Sequence, residues 1–347
     1  MTMDGPHRRV RRAPGARLVG LVAALGLLVA VLALPSAHSA FSASTGTPVN
    51  SLAADQLRPP SGLVVTQTCS YAPIAVRGAV ASTSLSPLAL SPPAGTQAGD
   101  VLVAQVAYYG ASTITAPSGW TRILAHTSGG VVTSAVYWKV ATAGEPAATF
   151  TRPSTDDGDM VGGIVAYSGV SSSAPVAGGA TGSGETATSP ALATTATGVV
   201  VVHLLTKSQT QLPAPAGTTG RWTLSSDTEG VTAADERFAG PGAIPLRTST
   251  SPGSPAEWIA QTVVLRPALQ QVGATLSWTA SPSSWADGYR GERSVGGTVQ
   301  GSSSVPIGTT TATDAYLVNG TTYGYRVRAY RGTWVSTAVT ATLTPSC

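Results

Sequence analysis

A strict alternation of apolar and other side chains runs along the chain near its C-terminus. Apolar residues occupy every second position from Tyr323 to Ala329, and the positions between them carry glycine or arginine. This period of two predicts a strand with one buried face and one solvated face. The dipeptides Asn319-Gly320 and Asp287-Gly288 are turn signals, and the second precedes another predicted strand that opens at Tyr289.

Residues 70–271 contain two similar series of apolar strands and Pro/Gly turns. In each series an apolar strand is followed by a Pro/Gly turn, a Trp-Thr dipeptide, a second strand and a closing apolar strand. The two dipeptides are Trp120-Thr121 and Trp222-Thr223. This repeated order predicts an internally duplicated, jelly-roll-like β-sandwich. The composition agrees with an all-β protein, because 10% charged residues, 39 Gly and 25 Pro disfavour helices and coiled coils.

The pattern after residue 272 resembles that of a fibronectin type III domain. That family carries a core tryptophan in its second strand, matched by Trp278. Its later signature L-x-P-x-T-x-Y-x-F-x-V-x-A is matched from Leu317 to Ala329, with Asn319 in place of proline. The resemblance implies an immunoglobulin-like sandwich, in which the Tyr323 hydroxyl bonds to upstream backbone.

The first strand of that family has no match directly before residue 272. The segment PPSGLVVTQTC at residues 59–69 has the expected pattern instead. Residues 57–69 and 272–347 together have the length of one domain. We therefore expect a discontinuous fibronectin type III-like domain, interrupted between its strands A and B by the larger sandwich of residues 70–271.

The chain contains two cysteines, Cys69 and Cys347. In the fibronectin type III arrangement they close strands A and G at the pole where the insertion opens, so the resemblance implies a disulfide between them. Two unrelated thiols, or a bond to another chain, are the alternatives.

Residues 1–40 have the organisation of a secretory signal peptide. Arginines come first, an uninterrupted apolar run spans residues 18–34, and small residues follow Pro35 up to Ala40. Cleavage leaves residues 41–56 as a flexible mature N-terminus. The alternative is an uncleaved membrane anchor, since about 17 apolar residues are the lower limit for a spanning helix. Both alternatives place the remaining chain at the cell surface or in the extracellular space.

Two further resemblances concern the exported context. Residues 40–55 resemble the start of actinobacterial proteins with a SipW-type signal peptide. The first half of the insertion, through PSGWT at 117–121 and AVYWKVA at 135–141, resembles a β-sandwich recurrent in secreted actinobacterial and phage-associated proteins. The first resemblance implies that the protein is exported to the cell surface or matrix of a Gram-positive bacterium. The second implies a β-sandwich fold but indicates no activity.

The net charge of +4 does not indicate an anionic partner. Residues 1–40 hold five arginines and one aspartate, whereas residues 41–347 hold 15 basic and 15 acidic residues. The sequence therefore predicts no nucleic-acid partner, and it predicts membrane contact only through an uncleaved leader.

The sequence contains no catalytic constellation, so we expect no enzyme activity and no cofactor. A G-x-S-x-G motif and zinc-ligand spacings are absent, and His126 and His203 are expected to be structural. Asp156, Asp157 and Asp159 surround a glycine turn and form a candidate Ca²⁺ site, with a solvated turn as the alternative.

A second carboxylate pair, Asp235 and Glu236, has no evident partner in the sequence. A glycan hydrolase requires two carboxylates at a defined separation, which a sequence alone does not supply.

Trp285 and Trp334 are the candidate ligand-binding residues. Both flank turns, and in the fibronectin type III pattern they fall near the B–C and F–G loops, at one pole. Exposed tryptophan can stack on a sugar or anchor a protein interface. Partial burial against neighbouring loops is the alternative.

These observations favour a non-enzymatic exported protein of adhesion, assembly or ligand binding, with a cell-wall glycan or a surface protein as partner. The alternative is a carbohydrate-binding accessory module associated with polysaccharide degradation. A glycan hydrolase is a third hypothesis.

Overall fold

A computed structural model describes residues 55–153 and 158–347. These residues form 24 β-strands joined by turns and loops, as the predicted all-β class requires. Within the described ranges no helix is long and apolar enough to cross a membrane. The predicted signal peptide, and the predicted flexible segment as far as residue 54, lie outside the described residues.

Eight strands form a fibronectin type III-like sandwich. They are β1 (Ser61–Tyr71), β18 (Leu269–Thr279), β19 (Gly288–Val295), β20 (Thr298–Pro306), β21 (Thr311–Ala315), β22 (Tyr323–Arg331), β23 (Trp334–Val335) and β24 (Val339–Leu343). One sheet has the order β1-β18-β21. The other has the order β20-β19-β22, with β23 and β24 along the second edge of β22. In chain order these strands correspond to A-B-E in one sheet and C′-C-F-G in the other, the arrangement of an immunoglobulin-like sandwich.

The alternation along β22 has the predicted consequence for packing. Tyr323, Tyr325, Val327 and Ala329 are all buried in the core between the two sheets, together with Trp278. The backbone N–H of Val318 donates to the Tyr323 hydroxyl at 2.9 Å. The bond to upstream backbone that the resemblance implied for Tyr323 is therefore present.

Strand β1 pairs with β18 although about 200 residues separate them along the chain. The antiparallel register runs from Ser61 opposite Thr279 to Tyr71 opposite Leu269. Directly beyond, the N–H of Ala72 donates to the carbonyl of Ala268 at 2.8 Å. The chain therefore leaves this sandwich and returns to it at one point, as expected for an insertion between strands A and B.

The predicted disulfide joins Cys69, near the end of β1, to Cys347 in the segment that follows β24. Cys69 and Cys347 are bonded with a Cα–Cα distance of 5.7 Å, which lies within the usual range for disulfides. The side chain of Asn319 accepts a hydrogen bond from the N–H of Cys347 at 3.0 Å. The disulfide thus lies at the pole where the insertion opens.

Each half of the insertion forms its own five-stranded sheet. The first half contributes β2 (Ala75–Ser84), β3 (Leu88–Leu90), β4 (Val101–Tyr109), β5 (Thr121–Ser128), β6 (Val132–Val140), β7 (Ala148–Phe150) and β8 (Met160–Ser168). The second contributes β9 (Val176–Gly184), β10 (Thr186–Thr188), β11 (Ala193–Thr194), β12 (Val199–Ser208), β13 (Thr219–Ser225), β14 (Glu229–Phe238), β15 (Gly242–Ala243), β16 (Thr248–Thr250) and β17 (Ala256–Leu265).

The strand orders of the two halves show the predicted duplication. The order β2-β8-β4-β6-β5 in the first sheet is repeated by β9-β17-β12-β14-β13 in the second, and the small β3-β7 pair is repeated by β10-β16. In the first half the first strand pairs with the last, the second with the sixth and the third with the fifth, and the second half has the same pairing once its extra strands β11 and β15 are set aside. This nested pairing is jelly-roll-like. The second half adds one further small pair, β11-β15.

The two five-stranded sheets pack face to face and are also covered on their outer faces. Along β4, Val101 and Val103 contact the core shared with the second half, whereas Leu102 and Ala104 contact a core within the first half. Because both faces of the strand are buried, it appears in the sequence as a continuous apolar run rather than an alternating one.

The duplication is real, but the two Trp-Thr dipeptides are not equivalent positions. A β-bulge precedes Leu124 in β5 and Trp222 in β13, which makes these two residues the equivalent pair. Trp120 lies before the bulge and packs against Phe150 on the outer side of the first sheet. Trp222 instead lies in the core between the sheets, where a Cβ on Gly163 would approach its ring to 2.8 Å. Both dipeptides follow Pro/Gly turns, which made them look alike.

Candidate functional site

The loop between β18 and β19 is fixed to the first described residues by buried serines. The hydroxyl of Ser281 donates to the carbonyl of Arg58 at 2.6 Å, and the N–H of Arg58 donates to the Ser283 hydroxyl at 3.0 Å. Both serines are buried. Their bonds immobilise the loop that carries Trp285.

Trp285 is half-buried and held from two sides. Its indole Nε1 donates to Asp55 Oδ2 at 2.7 Å. The guanidinium carbon of Arg331 lies 5.3 Å from the centroid of its ring, within cation–π range. Nη1 of Arg331 also donates to the backbone carbonyl of Trp285 at 3.2 Å. The partial burial raised as the alternative therefore applies to Trp285.

Trp334 lies on the hairpin that joins β22 to β23 and is 65% exposed. The hairpin turns at Gly332, whose φ of +55° suits glycine. Across the turn Trp334 pairs with Arg331, the residue that contacts Trp285. The N–H of Gly332 donates to Asp287 Oδ2 at 2.7 Å, which ties the hairpin to the β18–β19 loop. The two predicted tryptophans therefore lie at one pole of the sandwich. Arg331 pairs with Trp334 across the hairpin, and its side chain contacts Trp285 in the β18–β19 loop.

A cleft of about 240 Å³ opens on the flank of the same sandwich, between its edge strands β20 and β21. Trp278, Tyr289 and Tyr325 lie beneath its floor in the core of the sandwich, where they are 7%, 0% and 2% exposed. Its rim is lined by small residues, namely Gly301, Ser303 and Ala312. Larger apolar residues at these edge positions would close the core, so the cleft follows directly from the small residues in the sequence.

An ion pair between Arg293 and Asp314 lies at the side of this cleft. Asp314 accepts hydrogen bonds from Arg293 Nη1 and from the Tyr325 hydroxyl, each at 2.9 Å. Burial and the bond to Asp314 raise the pKa of Tyr325, so its hydroxyl remains a donor. Trp278 Nε1 and Arg293 Nε have no acceptor among the described residues. The cleft is thus lined by the charge-compensated Arg293–Asp314 pair and by Glu292, while the two N–H groups without an acceptor are buried beneath it.

Asp235 and Glu236 have partners in the structure that the sequence did not indicate. Asp235 accepts two bonds from Arg221, at 2.7 and 2.6 Å, and one from the Tyr167 hydroxyl at 2.8 Å. Glu236 is bonded by Arg247 and by His203. Successive residues of a strand face opposite sides of the sheet, so the neighbouring carboxylates contact different partners distant in sequence.

The two histidines of the insertion lie in packed surroundings. His203 is 1% exposed, and its Nε2 lies 3.0 Å from Glu236 Oε1. Nδ1 of His126 lies 3.2 Å from Nε2 of Gln261. Burial lowers the pKa of both imidazoles. His203 is too enclosed for an external substrate to reach.

The predicted aspartate cluster lies partly outside the described residues, since Asp156 and Asp157 belong to the omitted range 154–157. Asp159 is described, and its charge contributes to raising the pKa of Glu229, after the larger effect of burial. Within residues 55–153 and 158–347, no group of three or more histidine, cysteine or acidic side chains could hold a metal ion. Calcium binding by this cluster stays a prediction.

Several residues that shape these sites were not singled out by the sequence. Arg331 is the clearest, since it stands across a two-residue turn, Gly332-Thr333, from Trp334. Hairpin pairing across such a turn is a local signal that could have found it. The Arg293–Asp314 pair had no such signal, because its members come from different sheets.

Comparisons with known proteins give weak structural similarities. No protein-family model matches the chain, and no curated protein matches it significantly. A two-domain fibronectin type III segment of chicken tenascin matches with 15% identity and a TM-score of 0.20, over 46% of this chain and 99% of that one. The three fibronectin domains FN1–FN3 of chicken CNTN1 match with 11% identity and a TM-score of 0.20, over 83% and 100%.

Domains A168–A170 of titin match with 11% identity and a TM-score of 0.18, over 83% of this chain and 99% of that one. With TM-scores of this size, the fold assignment rests on the strand order and register of the chain itself: an all-β protein with a fibronectin type III-like sandwich.

Proposed function

We propose that this chain is an exported, non-enzymatic protein of adhesion or assembly that binds a protein partner through Trp334 and its neighbours. The observation that carries the proposal is the 65% exposure of Trp334 beside the Arg331–Trp285 contact. Tryptophan and arginine are enriched among the residues that dominate binding energy at protein interfaces.

The rigidity of the pole supports this proposal. Asp55 and Asp287 fix the two loops, so binding would immobilise few additional groups. Export is supported by the leader pattern of residues 1–40 and by the Cys69–Cys347 disulfide, since such bonds persist in oxidising compartments.

The test is saturable binding of labelled protein to intact cells of a producing strain. Trp334→Ala is expected to weaken binding about tenfold, which corresponds to roughly 1.4 kcal/mol. The matched control is Val64→Ala, a truncation of another exposed apolar residue on the opposite sheet of the same sandwich. Equal binding by Trp334→Ala and the control would contradict the proposal.

Pretreatment of the cells identifies the class of partner. Protease treatment is expected to abolish binding, and periodate oxidation of surface glycans is expected to leave it unchanged. The reverse result would favour the carbohydrate-binding module, because an exposed indole also stacks on sugars. Release of reducing sugar by the purified protein would favour the glycan hydrolase.

A further inference from the structure

The outer face of the sheet that contains β19 and β22 carries an excess of arginine. Tyr289 and Val327 are buried toward the core, so the alternate positions of the two strands face outward. The charged residues at those outward positions are Arg290, Glu292, Arg326 and Arg328. The neighbouring strands β20 and β24 carry no charged residue. Three arginines against one glutamate make this face positive, although residues 41–347 are neutral as a whole.

Two of these arginines stand directly opposite each other. Arg290 of β19 is paired with Arg328 of β22 in the antiparallel register. Like charges at directly opposite positions destabilise a sheet, and among the described residues neither arginine forms an ion pair. Arg326 differs, because it is opposite Glu292. The Arg290–Arg328 pair is therefore a local charge that an anionic group from outside would neutralise.

The arginine pair is continuous with the pole that carries Trp334. The guanidinium carbon of Arg290 lies 5.2 Å from the centroid of the Tyr330 ring, so its side chain is directed toward that end of β22. Tyr330 is paired with Val335, which is 42% exposed and directly follows Trp334 in the chain. One surface beside Trp334, the arginine face, therefore consists of Arg290, Arg328, Tyr330 and Val335.

The pattern of charges restricts the kind of partner. A guanidinium binds carboxylates and phosphates through paired N–H groups. A uniform polyanion lying across this sheet would also meet Glu292, which is two positions along β19 from Arg290 and on the same side, and this carboxylate would repel it. A folded protein can place separate carboxylates opposite the two arginines alone. Tyr330 and Val335 add the aromatic and apolar contact that is typical of protein interfaces.

We propose that the partner bound at Trp334 is an acidic protein surface whose carboxylates pair with Arg290 and Arg328. This inference rests on the protein partner proposed for the pole and extends its binding surface along β19 and β22. Complementary charge of this kind increases the rate of association and the selectivity for one partner. Binding should therefore weaken as the salt concentration rises, which contact through the apolar surface of Trp334 alone would not cause.

The test measures saturable binding of labelled protein to intact cells of a producing strain at two ionic strengths. The unmodified protein is expected to bind about fivefold more weakly in about 300 mM NaCl than in about 50 mM NaCl. Arg328→Gln and Arg290→Gln are each expected to weaken binding at the lower salt concentration about tenfold and to reduce the salt dependence. Arg328→Lys should recover part of the affinity, because it restores the charge without the planar pair of donors.

The matched control is Arg122→Gln, which removes the same charge from an exposed arginine of β5 in the insertion. It is expected to bind within about twofold of the unmodified protein, which would exclude an effect of net charge alone. Thermal unfolding shows whether each variant is folded. Removal of one of two opposed like charges should not lower the midpoint of unfolding, and Arg290→Gln serves if Arg328→Gln is not folded.

Glu292→Gln separates an acidic protein from a uniform polyanion. It is expected to leave binding within about twofold of the unmodified protein, whereas a polyanion would bind more tightly once this carboxylate is removed. The proposal is overturned by such an increase, by binding that does not depend on salt, or by arginine variants that both bind as the control does.

The variants also distinguish failure of this inference from failure of the function proposed above. If Trp334→Ala weakens binding and both arginine variants bind normally, only the arginine face fails. If the arginine variants weaken binding and Trp334→Ala does not, the role proposed for Trp334 fails instead. Absence of saturable binding to the cells would overturn both proposals.

Discussion

Breaking the Cys69–Cys347 disulfide should destabilise the terminal sandwich and leave the insertion folded. The bond closes a sequence separation of 278 residues, for which the chain-entropy relation gives about 5.6 kcal/mol. That figure treats the whole enclosed chain as free in the unfolded state. The hydrogen bond between Ala72 and Ala268 shows that the two ends of the insertion meet.

A folded insertion therefore shortens the loop that the disulfide closes. If it stays folded while the terminal sandwich unfolds, the free chain between the cysteines has about 80 residues, and the same relation gives about 4.5 kcal/mol. We expect Cys69→Ser with Cys347→Ser to lower the free energy of unfolding of the terminal sandwich by about 4.5 kcal/mol. The transition of the insertion should remain in place.

Differential scanning calorimetry and urea unfolding followed by tryptophan fluorescence measure both transitions. The control is the unmodified protein in a thiol reductant, which should reproduce the double variant. A loss below about 1 kcal/mol would refute the entropic reasoning. A single transition that shifts as a whole would refute independent folding of the insertion.

Two further substitutions test local features of the structure. Burial, with a smaller contribution from Asp159, raises the pKa of Glu229. Its charged form is therefore penalised above that raised pKa, and stability should increase as the pH falls from neutral towards the ordinary carboxyl pKa. Glu229→Gln should raise the free energy of unfolding at pH 7 by about 1–3 kcal/mol and should make that free energy less dependent on pH. Urea titrations measure this change, and a lower free energy of unfolding for the variant would contradict the prediction. Tyr316 is 85% exposed and has a φ of +61°, a backbone conformation that favours glycine. Tyr316→Gly should therefore raise the free energy of unfolding by about 1 kcal/mol in the same titrations, whereas Tyr316→Ala should not. Equal effects of the two substitutions would exclude backbone strain as the cause.

The terminal sandwich could be predicted because its signals are local. Alternation from Tyr323 to Ala329, the turn at Asn319-Gly320 and the core Trp278 each depend on a few neighbouring residues. The nested topology followed from a missing first strand and a matching segment upstream. The disulfide was implied by the same resemblance, which places the ends of the first and last strands at one pole, and Cys69 and Cys347 lie close to those ends.

The duplication was predicted for an incomplete reason. Trp120-Thr121 and Trp222-Thr223 share a turn context, but the pairing register offsets them, and the two tryptophans contact different cores. Register depends on partner strands, which a sequence pattern does not specify.

The polar contacts were the least predictable part of the candidate sites. The Arg331–Trp285 contact and the Arg293–Asp314 pair join residues from separate strands and loops. The cleft arises from small residues on two edge strands that belong to different sheets. The hydrophobic pattern of the sequence does not predict such a cleft, because a small residue in an alternating strand looks the same whether or not a cleft lies beside it.

The long separation between β1 and β18 has a consequence for the order of folding. During synthesis β1 emerges early, and its partner follows only after about 200 further residues. Until then β1 is an unpaired strand, and such strands promote aggregation. Folding of the intervening segment would bring residues 72 and 268 together and turn a slow, distant encounter into a local one. A variant that slows folding of the insertion should therefore reduce the yield of exported protein even where the final stability is unchanged.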